Sequence, residues 1–202
     1  MFKKILIGLI LIFLTGCSIN LENMSYEKII DSSIEENIKY SNVNEVGYKY
    51  YLPINFSVYK DDLYNQILLS NNVYYYLNVD VVSYHYKKVM KTNHELDDYL
   101  YYTFEKDGKN GYVRVTKNND YFFVELCYNY AIIEVEVKEE DLKYAISRGI
   151  IILNSIKYND LIIEKNIVDD AIETSESTYS IPQPENKSTS KNVLEYIKEN
   201  DG

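Results

Sequence analysis

The side chains of this 202-residue chain that could do chemistry are few. His85 and His94 are its only histidines, and the second opens His94-Glu95-Leu96-Asp97-Asp98, a histidine beside three carboxylates. Such a group could ligate a divalent ion, but zinc sites draw on several His or Cys ligands at fixed spacings. No second nitrogen or sulfur ligand stands nearby, and a solvated loop is the plainer reading. Asp107-Gly108-Lys109-Asn110-Gly111 lacks the alternating acids and closing Glu of a calcium loop and reads as a hairpin turn. Asp61-Asp62, Asp97-Asp98, Glu139-Glu140 and Asp169-Asp170 pair carboxylates. Glycoside hydrolysis needs two carboxyls held about 5–9.5 Å apart around a substrate, whereas sequence neighbours diverge, so these pairs read as caps and surface charge. Cys127 has no activating motif around it, Gly-x-Ser-x-Gly and Ser-x-x-Lys patterns do not occur, and seven glycines form no phosphate loop. Cys127 reads as a small buried hydrophobe, and no catalytic, metal or cofactor set is expected.

The most specific pattern lies at the N-terminus. Lys3 and Lys4 precede an apolar run from Ile5 to Leu14, and Leu14-Thr15-Gly16-Cys17 follows. A basic region, a short apolar region and a small-residue cleavage site form the pattern of a secretory signal. The four residues Leu14 to Cys17 resemble the lipobox of bacterial lipoproteins. The resemblance implies that the Cys17 thiol is diacylglycerylated, that the chain is cut just before it, and that the lipid holds the protein on the extracytoplasmic side of the cell membrane. The apolar run is about half the ~20 residues a membrane-spanning helix needs. Two acyl chains, at ~0.8 kcal/mol per buried methylene, anchor where one short chain does not. A cleaved signal without lipid is the rival expectation. Residues 17–24 then form a polar tether of roughly 25 Å at full extension, placing the folded domain close to the bilayer.

Charge narrows the partners. The chain carries −10, and loss of residues 1–16 with Lys3 and Lys4 takes it to −12. An acidic chain gains nothing from an anionic leaflet. Nucleic acid is not expected either, because phosphate binding needs clustered Lys and Arg, and Arg114 and Arg148 are the only arginines. The 23 tyrosines and absent tryptophan fit the bias of an AT-rich bacterial genome. With Cys17 lipidated, Cys127 is the one remaining thiol, so no intrachain disulfide is expected and the core must supply the stability.

The elements that would position these side chains follow from periodicity. Ser25 to about Tyr40 reads as a helix, with Ile30, Ile34 and Ile38 recurring every four residues. Val46 to Leu52 reads as a strand stopped by Pro53, and Asn55 to Tyr59 as an extended segment ended by Asp61-Asp62. Leu63 to Leu69 is ambiguous between strand and helical turn, and Asn71-Asn72 turns the chain. Val73 to Lys87 reads as one long strand, with Val73, Tyr75, Leu77, Val79 and Val81 on an apolar face. Tyr99 to Glu105 and Tyr112 to Thr116 form a hairpin, with Leu100, Tyr102, Phe104, Val113 and Val115 inward. The β-signal from Tyr121 to Val137 is too long for one strand and breaks near Tyr128-Asn129-Tyr130. Glu139-Glu140-Asp141 opens a second helix, where acids favour the dipole, and Leu142, Ala145, Ile146, Gly149, Ile150 and Leu153 form its apolar stripe.

The expected fold class is α+β: an antiparallel β-meander sheet flanked by an N-terminal and a C-terminal helix. One domain over 25–168 is followed by an acidic, disordered tail over 169–202, with a short helix at 192–199. The order of helix, meander and helix resembles the Mog1/PsbP type, which implies an α/β/α sandwich over roughly 24–165.

Given these phases, Tyr74, Tyr76, Tyr84, Tyr86, Tyr101 and Tyr112, with Arg114, point away from the core. Aromatics with polar tips supply contact area and hydrogen bonds to protein partners or sugar rings. The competing expectation is that the first helix covers this face, or that tyrosine is a filler with good β-propensity. The sequence therefore points to a lipid-anchored, non-enzymatic binding module for an envelope protein or cell-wall component. The alternative is an envelope hydrolase whose site assembles from loop carboxylates and a histidine.

Overall fold

The computed structural model of the chain describes residues 21–89 and 98–170. Cys17, His94 and the tail beyond Asp170 lie outside the described residues. Residues up to Val168 form one compact unit, and a second begins at Asp169.

After a turn of 3-10 helix at Leu21–Asn23, α1 spans Tyr26–Ile34. The Ser25 hydroxyl accepts from the Lys28 amide at 3.3 Å and caps its start. Ile29, Ile30, Ser33 and Ile34 are buried. The helix is shorter than the isoleucine spacing predicts, and Ile38 is only half-buried. Side chains from elsewhere satisfy its last carbonyls: Asn154 Nδ2 donates to Ile34 O at 2.9 Å and to Glu36 O at 3.0 Å, and Lys106 Nζ donates to Ile34 O. The region read as one strand around Val46 is a hairpin of β1 (Val43–Glu45) and β2 (Tyr48–Tyr50). Gly47 supplies the turn with φ +86°, a conformation that side chains resist.

The main sheet has seven strands: β3 (Ser57–Asp62), β4 (Asn65–Ser70), β5 (Val73–Val79), β6 (Leu100–Lys106), β7 (Lys109–Asn118), β8 (Tyr121–Tyr128) and β9 (Ala131–Lys138). Their order is β3-β4-β5-β9-β8-β7-β6, with every pair antiparallel. Two meanders thus meet at the β5–β9 pair. Three tight turns, Asn71-Asn72, Asp107-Gly108 and Asn129-Tyr130, hold both residues at positive φ, the geometry that matches the twist of the flanking strands. The third is the expected break in the long β-signal. Leu63–Leu69, ambiguous in sequence, lies largely in β4 and turns Gln66, Leu68 and Ser70 inward.

The long strand read from Val73 to Lys87 ends at Val79. Asp80 accepts the Ser83 amide at 2.7 Å and starts the short α2 (Val81–His85). β-branched Val81 and Val82 carry strand propensity, but the cap turns the chain. α3 spans Glu139–Asn154, β10 (Lys157–Tyr158) pairs with β2, and α4 spans Asp160–Asp170.

One face of the sheet holds the core. Val113, Leu126, Ile133 and Leu77 are successive cross-strand partners, all at most 2% exposed. α3 packs on β8 and β9 through the expected stripe. A Cβ on Gly149 would lie 2.1 Å from Leu126 Cδ1, so glycine permits the close approach. Its helix cost of about 1 kcal/mol is outweighed by burial of Leu142, Ile146, Ile150 and Leu153, at roughly 1.5–3 kcal/mol each. α1 lies beside α3 on this same face, joined to it by the buried Ser33–Ser147 hydroxyl contact at 2.9 Å and to β6 by Tyr102 OH donating to Asp31 at 2.9 Å. The first helix therefore does not cover the tyrosine face.

Candidate binding face

The opposite face is set by strand phase. Because Val113, Val124, Ile133 and Tyr75 turn inward, their neighbours turn outward. One cross-strand row runs Tyr101, Arg114, Glu125, Glu134, Tyr76, Ile67. A second runs Thr103, Tyr112, Cys127, Ile132, Asn78, Asn65.

At the β3–β5 side the face is open. Tyr74 is 42% and Tyr76 52% exposed, and the Tyr59 ring meets Tyr74 edge-on at 5.1 Å. Tyr59 was not singled out from sequence. It sits where the β3–β4 register slips between Val58 and Lys60, and simple alternation does not assign a face at such a bulge.

Toward β7 and β8 the face closes over a polar network. Arg114 and Glu125 form an ion pair at 2.8 Å, with side chains 18% and 15% exposed. Tyr112 OH donates to the other Glu125 oxygen. Tyr112 is 6% exposed, which corrects its expected place on an open surface. Burial, then Cys127 and the Glu125 hydrogen bond, hold its phenol well above the ordinary value. Tyr101 and Arg114 are half-buried. Cys127 is 1% exposed, and burial pushes its thiol up to about 12. It is thus an inert packing residue.

Glu134, beside this network, has its carboxyl raised by burial and then by the facing Glu125, with Arg114 pulling the other way. Strand phase around Ile133 and Val135 implied its outward position, but nothing in the sequence marked it.

Tyr84 and Tyr86 do not belong to this face, a second correction. Tyr84 lies on α2 and stacks on Tyr158 at 3.8 Å, with Lys87 Nζ 3.6 Å over its other side. Its hydroxyl donates to Asp160 at 2.7 Å, and burial, then that bond, raise the phenol to about 12. Tyr86 follows α2 and is 59% exposed. Of the expected set the face exposes Tyr74 and Tyr76, leaves Tyr101 and Arg114 half-buried and seals Tyr112.

His85 is half-buried against the Tyr86 ring at 4.9 Å. Among the described residues no three His, Cys, Asp or Glu side chains converge as a metal group, and no helix is long and apolar enough to cross a membrane. No protein-family model matches the chain, and no curated protein matches it.

Proposed function

We propose that the chain is an extracytoplasmic lipoprotein, anchored through Cys17, whose tyrosine face binds another component of the cell envelope without transforming it. The observation that carries this reading is the exposure of Tyr74 and Tyr76, at 42% and 52%, on a sheet face that α1 and α3 leave bare. Exposed aromatics grouped on a rigid sheet offer contact area at small entropic cost, as in binding hot spots. The Arg114–Glu125–Tyr112 network lies beside this platform, with Arg114 and Glu125 in the same cross-strand row as Tyr76.

Hydroxyl-radical footprinting of the protein, alone and with purified cell envelopes, tests the reading. Protection concentrated at Tyr59, Tyr74 and Tyr76, with loss of envelope retention on the double change Tyr74→Ser and Tyr76→Ser, is expected. Unaltered labelling of these tyrosines on saturated envelopes would overturn it.

A further inference from the structure

A different constellation, on the core side where the small sheet meets the edge of the large one, points to a ligand. Gln66 on β4 is 2% exposed. Its Nε2 donates to Glu45 Oε1 from β1 and to Asp61 Oδ1 from β3, each at 3.0 Å. Its Oε1 accepts from Tyr50 OH at 2.7 Å. Two carboxylates thus converge on one amide, and among the described residues neither makes an ion pair. Tyr48, the residue paired with Glu45, is 3% exposed, and its hydroxyl has no hydrogen-bond partner. Tyr48 and Tyr50 are two apart on β2 and leave the strand on the same side, their rings 6.2 Å apart, so Tyr48 stands beside the tyrosine that reaches Gln66. A buried hydroxyl without a partner is costly, and two carboxylates sharing one neutral donor leave charge uncompensated.

We infer that Glu45, Asp61, Gln66 and Tyr48 form a binding site for a hard divalent cation, calcium by the irregularity of its oxygen set. The chemistry fits on three counts. Two carboxylates neutralise a 2+ ion. Calcium accepts amide and carboxylate oxygens at about 2.3–2.6 Å, so an ion near the present Nε2 position draws each carboxylate in by about 0.5 Å. A half-turn of the Gln66 amide presents Oε1 to the ion and leaves Nε2 to face the Tyr50 oxygen, and amide O and N are interchangeable in shape. Water completes the shell, because Glu45 is half-buried and Asp61 exposed. The ion would tie β1 to β3 and β4 and so fasten the small sheet to the edge of the large one.

The test is tyrosine-sensitised terbium luminescence on the full chain at constant ionic strength, with calcium and magnesium as competitors. Calcium displacing terbium with half-effect at about 10⁻⁴–10⁻³ M, the range of extracellular modules, and magnesium at least ten-fold less effective, is expected. Glu45→Gln and Asp61→Asn should each weaken calcium at least ten-fold. Tyr48→Phe, which removes a hydroxyl that has no partner and so keeps the fold, should weaken it several-fold. Glu164→Gln, an exposed residue of α4, should leave it unchanged. Terbium emission that survives both carboxylate changes, or that Glu164→Gln reduces as much, would mean diffuse binding to an acidic surface and would overturn the site.

Discussion

Glu134 faces Glu125 across one strand pair and Tyr76 across the other. Like charges directly opposite on a sheet face cost stability, and Arg114, paired with Glu125, compensates only part of it. A carboxyl whose folded pKa is raised binds its proton more tightly folded than unfolded. Its contribution to stability therefore falls as pH rises from the ordinary carboxylate value through the raised one, and the full penalty is present above both. Glu134→Gln should accordingly stabilise the protein at neutral pH by about 0.2–1 kcal/mol, a rise in Tm of roughly 1–4 °C. Below about pH 3, where the carboxyl is protonated in both states, the advantage should vanish. Melting curves at the two pH values decide it; a lower Tm for the variant at neutral pH would show that Glu134 holds a stabilising contact. Strand alternation disclosed which way such residues point. It could not disclose cover, which is why Tyr112 was expected in the open and is buried. Tyr84 and Tyr86 were lost for another reason: one side-chain cap at Asp80 outvoted the strand propensity of two valines.

Among the elements, tight turns were the most legible, because their chemistry is local. Asn71-Asn72 and Asp107-Gly108 announce themselves by residues that tolerate positive φ, whereas the Asn129-Tyr130 break was expected only because the β-signal around it is too long for one strand. Helix ends were less so. The stop of α1 depends on Asn154 and Lys106, 120 and 72 residues away, and no local pattern encodes that. α3 was legible as a stripe, yet its depth of seating on the sheet was not. Its closeness rests on Gly149, and Gly149→Ala separates packing from propensity by sign. In an exposed helix the change stabilises by about 1 kcal/mol. Here Leu126 is fully buried and cannot swing away, so the added methyl should cost about 1–3 kcal/mol. Urea unfolding monitored by circular dichroism measures it, and a higher midpoint for the alanine variant would show that α3 can ride outward without loss.

Over the whole molecule, periodicity predicted an α+β meander flanked by helices, and the antiparallel meanders with helices before and after them are there. Which face would be bare was not readable, because it turns on α1 docking beside α3, a contact between segments more than a hundred residues apart. A bare binding face is useful at an envelope only if something holds the domain there, and in the proposed reading that is the lipid on Cys17. Electrostatics cannot do it: at −10, or −12 for the mature chain of the proposed reading, an anionic leaflet repels the protein. Salt and detergent therefore distinguish the anchors. A charge-held protein leaves membranes at 1 M salt, where the screening length shrinks to about 3 Å, whereas a diacylated one stays and partitions into detergent. The wild-type protein should resist the salt wash, enter the detergent phase and yield an N-terminal peptide carrying acyl mass on Cys17. Cys17→Ser should lose that mass and accumulate as an uncut precursor that still contains Lys3 and Lys4. A wild-type protein found in the aqueous phase with an unmodified Cys17 would refute the anchor and leave the tyrosine face to be explained in a freely secreted domain.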